Sequence, residues 1–357
     1  MLKFILQRLF SGIFVLLGVV VIIFFLLNII PVDSGRLTLG ANADDETLAA
    51  VRKELRLDYS APQRLWFYIS DISPLSLNEN NDVEKPLYLD DSKYNYTSIF
   101  SIGSKSFVLK KPYFGRSFQS NKLVSEIIAR KLLPTALLAI SAMILASIVG
   151  ILLGIIAALN YNKPLDKLTV GFSVIGISIP SYFSAILLAI FFGYYLSNYT
   201  GLNVTGSLID ISDYGEYFIN WKNLILPTIA LGIRPIAIIT QLTRNSMLDV
   251  LSADYVRTAK SKGLNRYKVI FKHTLRNALN PVITSITGWF ASLLAGAFFV
   301  EWIFDFKGLG HTTVSALLNF DFPLVMGAIL FIAMVFVMVN IFVDIFYSLI
   351  DPRIRVE

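Results

Sequence analysis

Residues 253–281 read ADYVRTAKSKGLNRYKVIFKHTLRNALNP. Arg257, Lys260, Lys262, Arg266, Lys268, Lys272 and Arg276 stand there against a single acid, Asp254, and long apolar runs flank the segment on both sides. The pattern inside it is helical twice over. Tyr255, Val256 and Ala259 form a small apolar face that ends at Gly263, and glycine suits a helix terminus where the chain reverses. Asn265 can cap a second helix. Along that helix Lys268, Lys272 and Arg276 recur at i, i+4 and i+8, beside a less polar face of Tyr267, Ile270, Phe271, Thr274 and Ala278. Two short helices joined at Lys262-Gly263-Leu264 are expected. Positive charge beside a membrane accounts for the basic residues but not for the paired apolar faces. Those faces suit a docking surface for a protein partner, or a helix lying on a membrane.

Composition says what surrounds this segment. Of 357 residues, 55% are hydrophobic and 16% charged, with a mean hydropathy of +0.64. A soluble domain carries roughly a quarter charged residues, so the chain reads as an integral membrane protein. Six apolar runs reach the ~20 residues that a span needs: about 9–30, 132–159, 168–196, 224–242, 282–300 and 324–350. The first run exceeds the ~7–15 residues of a signal-peptide core, and no small-residue cleavage site follows it. Pro180, in the middle of the third run, is expected to kink it, and Arg234-Pro235 is expected to interrupt the fourth.

Six spans place both termini on one side. That side carries Lys3 and Arg8, Lys163 and Lys167, the eight basic residues from Arg244 to Arg276, and Arg353 and Arg355. The short loops of the other side carry Lys222 and Lys307 against Asp210, Asp213, Glu216, Glu301, Asp305 and Asp321. The asymmetry puts both termini and the 244–281 loop in the cytoplasm. The fold expected is all-α and membrane-integral. It has an N-terminal helix over 1–30, an external region over 31–131, a five-helix core over 132–350 and a cytoplasmic tail over 351–357. Within the external region a capped amphipathic helix is expected over 44–57, with Asp44 or Asp45 as cap and Leu48, Val51 and Leu55 on one face. A second short helix follows Pro62 and carries Leu65, Trp66 and Phe67. Residues 71–98 lack a period and read as a loop or an irregular insertion, and a short strand and a turn are expected over 107–118. A mixed soluble insertion is placed at about 71–110.

Several function classes fall away. The chain has no cysteine and two histidines, His273 and His311, which rules out disulfides and Cys-ligated metal and leaves too few histidines for a His-rich site. The net charge of +6 suits loops facing an anionic leaflet and does not by itself imply nucleic acid. A proton-coupled secondary transporter would want an acidic relay in mid-span and often an internal repeat, and neither is evident. A membrane-embedded enzyme would want clustered catalytic residues. Arg234 falls in mid-span, where a charge costs ~2.5–3.5 kcal/mol. It either pairs within the protein or lines a path for an anionic solute. Glu301 and Asp305 read as solvated or as touching the external region, and Asp344 and Asp351 as caps or partners of nearby bases.

The basic loop resembles the conserved cytoplasmic loop of bacterial ABC-importer permeases, Glu-Ala-Ala, three residues, then Gly. Here Arg257-Thr258-Ala259, three residues and Gly263 stand at those positions, departing at the Glu and first Ala. The Tyr-Val-Arg-Thr-Ala-Lys-x-Lys-Gly-Leu form is similar to the dipeptide/oligopeptide (and nickel) branch, first-permease (B) type. Agreement extends to the MLKFILQRL start, Gly115-Arg116-Ser117, Ile179-Pro180-Ser181, Leu226-Pro227, Thr243-Arg244-x-Ser246-Met247, Gly308-Leu309-Gly310 and Ile350-Asp351-Pro352-Arg353. It covers nearly the whole chain except about 71–110. The resemblance implies that the loop is a coupling helix seated in a cleft of a cytoplasmic ATPase subunit, through Tyr255, Arg257, Thr258, Ala259, Lys260, Gly263, Leu264, Tyr267 and Arg276. It implies a second homologous permease subunit, two ATPase subunits, an external substrate-binding protein, membrane lipid and a peptide substrate as partners. Nickel, glutathione and other small solutes remain open as cargo. Because the chain lacks GxxxxGK[ST], ATP and Mg are expected on the ATPase subunits, with no cofactor held here. Arg234, Pro180 and Tyr182 are the candidates for the translocation path.

Overall fold

The structure is a computed structural model that describes residues 2–29, 56–83, 85–91, 93–211 and 215–350. The helix expected over 44–57 lies almost wholly outside the described residues, as does the tail 351–357. The described chain is mostly helical. Helix α1 spans Leu2–Ile29 and α2 spans Ala61–Ile72. Strands β1 (Leu75–Glu79), β2 (Tyr96–Ile102) and β3 (Lys105–Lys110) follow. Helix α3 then runs 36 residues, Val124–Leu159. After it come α4 (Pro164–Ser178) and α5 (Ser181–Leu188), the latter continuing as a π-helical stretch, Ala189–Tyr195. A short α6 (Ser197–Thr200) and the hairpin of β4 (Ile209–Ile211) and β5 (Tyr217–Ile219) lead to α7, Lys222–Leu251. The basic segment holds α8 (Asp254–Ser261), α9 (Arg266–Lys268) and a π-helical stretch, Val269–Leu275. Helices α10 (Arg276–Ile303), α11 (Leu309–Leu318) and α12 (Phe322–Ile350) complete the order.

Among the described residues four helices are long and apolar enough to cross a membrane, α1, α3, α7 and α12, and the α4–α5 pair makes a fifth if counted as one span. Two expectations are corrected. The third run is broken outright, with a bend of 106° between α4 and α5. Proline clashes with a helical residue before it: Ile179 is extended (φ −78°, ψ 124°), and Pro180 becomes the cap of α5. Conversely, Arg234-Pro235 does not interrupt the fourth run. Helix α7 continues through both Pro227 and Pro235, since each proline removes one bond from a long ladder that other groups can re-satisfy in a membrane helix.

Contacts divide the chain into two compact units, residues 131–312 with 335 onward and the first five, and residues 6–130 with 313–334. The core of the first is built on small residues at helical spacing. Leu138, Ala139, Ala142 and Ala146 of α3 cluster with Leu226, Ala230, Leu231 and Ile239 of α7 and Val282, Leu293, Ala297 and Val300 of α10. Apolar side chains gain little by leaving lipid, so close van der Waals approach must hold such helices together. Gly150 and Gly154 supply it: a Cβ at Gly154 would fall 2.5 Å from Cβ of Thr243 and 2.8 Å from the Thr240 carbonyl oxygen.

In the second unit, β1, β3 and β2 form an antiparallel sheet in that order, with Leu77 opposite Phe107 and Phe107 opposite Phe100. This corrects the reading of 71–98 as a loop or an irregular insertion, since strands lie at 75–79 and from 96 onward. The alternation misled because it is inverted: Ser76, Asn78 and Ser106 point inward, while Leu75, Leu77 and Leu109 are exposed. The inward polar groups are hydrogen-bonded, Ser76 Oγ to Asn78 Oδ1 at 2.6 Å and Asn78 Nδ2 to the Leu87 carbonyl at 3.1 Å. Asp71 anchors this lobe. It accepts from Tyr94 Oη at 2.6 Å and from Arg56 at 3.0 Å, and the Lys110 ammonium sits 4.3 Å over the Tyr94 ring.

Candidate coupling surface

The basic loop folds as two helical pieces around Gly263, whose φ of +74° is the left-handed conformation glycine tolerates. Asn265 Oδ1 accepts from the Tyr267 N–H at 3.1 Å and so caps α9. The second piece differs from expectation in length: α9 passes through the π-helical stretch directly into α10. It is the N-terminal extension of one long helix rather than a separate short one.

The two faces also separate differently. Val256, fully buried, and Ala259, 6% exposed, pack on Val269 and Val250, and Ile270 and Ala278 pack on Ile155 and Met247. These apolar faces hold the loop together, which corrects the expectation that Ala259 lies on the docking face. What remains outward is Tyr255, Arg257, Thr258, Lys260, Gly263, Leu264, Tyr267, Phe271 and Arg276. Tyr255 Oη accepts from Asn277 Nδ2 at 2.9 Å, tying α8 to the start of α10. Arg257 and Asp254 form an exposed pair at 3.6 Å, of little energetic weight.

An ion pair that sequence reading missed clamps the helix entering the loop. Arg244 near the end of α7 donates to Asp166 of α4 through Nε at 2.6 Å and Nη2 at 2.8 Å. Asp166 also accepts from the Asn162 N–H at 2.9 Å. Thr243-Arg244 was visible as a motif, but a partner in another helix cannot be read from spacing.

A second missed constellation explains Gly308-Leu309-Gly310. Glu301 of α10 is fully buried, not solvated as expected. Its carboxylate accepts from Thr135 Oγ1 at 2.6 Å and from the His311 N–H at 2.9 Å, and Thr135 Oγ1 accepts from the Leu309 N–H at 2.7 Å. A distant carboxylate and hydroxyl thus satisfy donors at the start of α11, which a helix leaves unpaired. The glycines are required by space: a Cβ at Gly308 would lie 2.5 Å from Glu301 Oε2, and one at Gly310 2.7 Å from Phe298 Cα. His311 Nε2 pairs with Asp305 at 2.9 Å, and burial lowers its pKa from the ordinary value.

Of the path candidates, Arg234 is exposed on α7 with its guanidinium 5.5 Å from the Trp289 ring of α10. Tyr182, exposed on α5, meets Phe299 of α10 edge-on at 6.2 Å. Pro180 is exposed at the α4–α5 break. No ion pair, hydrogen bond or ring contact joins Arg234 to Tyr182 or Pro180 among the described residues; both aromatic contacts converge on α10.

Known proteins are similar to this chain along its whole length. The model of the family described as "Binding-protein-dependent transport system inner membrane component" matches residues 150–356, and that of its N-terminal region matches residues 1–88. A glutathione transport system permease protein of Salmonella typhimurium is 33% identical over 355 residues, covering 99% of each chain. One of Escherichia coli K12 has the same identity and coverage. A dipeptide transport system permease protein of Alkalihalophilus pseudofirmus is 33% identical over 99% of this chain and 100% of its own. The protein is thus a multi-pass membrane component of an ABC importer, and the chain belongs to the binding-protein-dependent transport system inner membrane component family.

Proposed function

We propose that this chain is one permease subunit of an ATP-driven importer of di- or oligopeptides and forms half of the translocation pathway by alternating access. Full-length identity to permeases of dipeptide and glutathione transport carries the reading. A six-span arrangement with both termini cytoplasmic fits the charge asymmetry of the loops, and it leaves residues 31–131, with the sheet over 75–110, outside, where a substrate-binding protein would dock. The partners are a second homologous permease and two ATPase subunits that hold ATP and Mg. The outward face of the 253–281 segment meets an ATPase, and continuity of α9 with α10 carries its movement toward Arg234, Tyr182 and Pro180 on the path.

Glutathione is the second reading, since permeases of glutathione transport match as well as the dipeptide one. The test is to purify the complex from cells, identify its co-purifying subunits, and measure uptake into proteoliposomes. The panel comprises dipeptides, longer peptides, glutathione and Ni²⁺. ATP-dependent peptide uptake is expected. Uptake driven by a proton gradient without ATP would reject the proposal, and uptake of glutathione or Ni²⁺ alone would replace the cargo.

A further inference from the structure

The exposed rows of α3 and α10 are not alike. On α3 the exposed i, i+4 row reads Ile140, Ile144, Ile148, Leu152 and Ile156. That is the row expected of a helix facing lipid. On α10 the exposed i, i+4 row reads Asn280, Thr284, Gly288 and Ser292, and Phe299, seven residues beyond Ser292, continues that face. A row of amide, hydroxyl and bare backbone is poorly suited to hydrocarbon.

Beside it stands Arg234. Among the described residues its guanidinium has no carboxylate partner, and it lies over Trp289, which Ser285 and Ser292 flank at i−4 and i+3. A charge at this depth faces a bundle interior or a water-filled cavity rather than lipid. A Cβ on Gly288 would meet nothing within 4 Å, so the glycine is not there to let another part of this chain approach. At the far end of the row Tyr182 covers Phe299.

We infer that the Asn280–Thr284–Gly288–Ser292 row of α10 is a wall of the aqueous passage, with Arg234 beside it as the group that meets the carboxylate of the passing solute. This rests on the permease reading and adds to it the passage-lining face and the chemistry of the cargo end recognised. Trp289 holds the guanidinium by its ring face, leaving its N–H donors for a carboxylate, a pairing that is charge-assisted and bidentate.

The chain has no cysteine, so an introduced thiol is the only one in this subunit, and labelling is read on this subunit's own band. In the intact complex, Thr284→Cys, Gly288→Cys and Ser292→Cys are each treated with a charged, membrane-impermeant thiosulfonate, with Ile144→Cys as the lipid-facing control. Reaction at the three row positions but not at Ile144→Cys is expected, with slower reaction under saturating transported peptide and loss of uptake after modification. Row positions as unreactive as the control would overturn the inference, as would a disulfide between Gly288→Cys and a cysteine on a helix of the second permease subunit. Arg234→Gln is expected to raise KM about tenfold or more for a peptide with a free C-terminal carboxylate, and to leave the KM of its C-terminal amide unchanged. Equal effects on both would remove the carboxylate role. Absence of ATP-dependent uptake by the unsubstituted complex would instead strike the importer reading, and the labelling pattern would still decide whether the row meets water.

Discussion

Glu301 is a carboxylate whose neighbours are all inside the protein, and it stabilises by accepting donors that would otherwise be stranded. Removing it takes the acceptor from the His311 N–H and leaves the Thr135 hydroxyl only the longer contact to the Lys131 carbonyl at 3.4 Å, a loss of about 1–3 kcal/mol for a buried group left unpaired. Glu301→Leu should therefore lower the melting temperature of the purified complex more than Glu301→Gln, whose amide oxygen still accepts; equal melting of the two would refute the capping role. Lys110 works in the opposite sense. Its side chain is 4% exposed, and burial first of all lowers its pKa to about 8. The unfolded lysine binds its proton up to the ordinary value near 10.5, so between about 8 and 10.5 the unfolded state holds more protons and stability rises with pH. Below pH 8 both states are protonated and the full penalty stands. Lys110→Met should make the β1–β3 lobe more resistant to proteolysis at pH 7 and lose that advantage by pH 10. An advantage unchanged with pH would show that the ammonium is not the cause.

Among the elements, α8 and the α9–α10 helix carry the main functional claim. Their apolar faces turn inward onto Val256, Ala259, Val269 and Ile270, while Tyr267 and Phe271 stand outward. Charge on the outer face should act on the partner and charge on the inner face on the fold. Tyr267→Asp combined with Phe271→Asp should abolish co-purification of the ATPase subunits while the chain remains in the membrane at normal abundance. Val256→Asp should lower abundance itself, because it buries an unpaired carboxylate. Retained ATPase subunits in the double variant would move the docking surface elsewhere. The break around Gly263 and the cap at Asn265 were legible because each depends on local backbone chemistry. Which apolar residues faced inward was not, because the faces of α8 and α9 look alike until Val269 is seen to fill the space between Val256 and Ala259.

Across the whole molecule, the larger unit depends on α3 and α7 meeting at Gly150 and Gly154, where added side chains would strike Ile239 and Thr243. Gly154→Leu should separate these helices and cost assembled complex, measured as the fraction eluting intact after detergent extraction; an intact complex would mean the contact is dispensable. By itself the sequence determined that the chain is a membrane protein, where its apolar runs lie and that a basic turn-bearing loop separates two of them, because hydropathy, charge and glycine conformation act over short stretches. Only the tertiary structure decided that Pro180 breaks its run while Pro235 does not. It also decided that Ser76 and Asn78 point inward in the sheet, that Glu301 is buried beneath Gly308-Leu309-Gly310, and that Arg244 closes on Asp166. Each of these depends on a group brought from a distant segment to fill space or satisfy a donor, and no local pattern records where that group comes from.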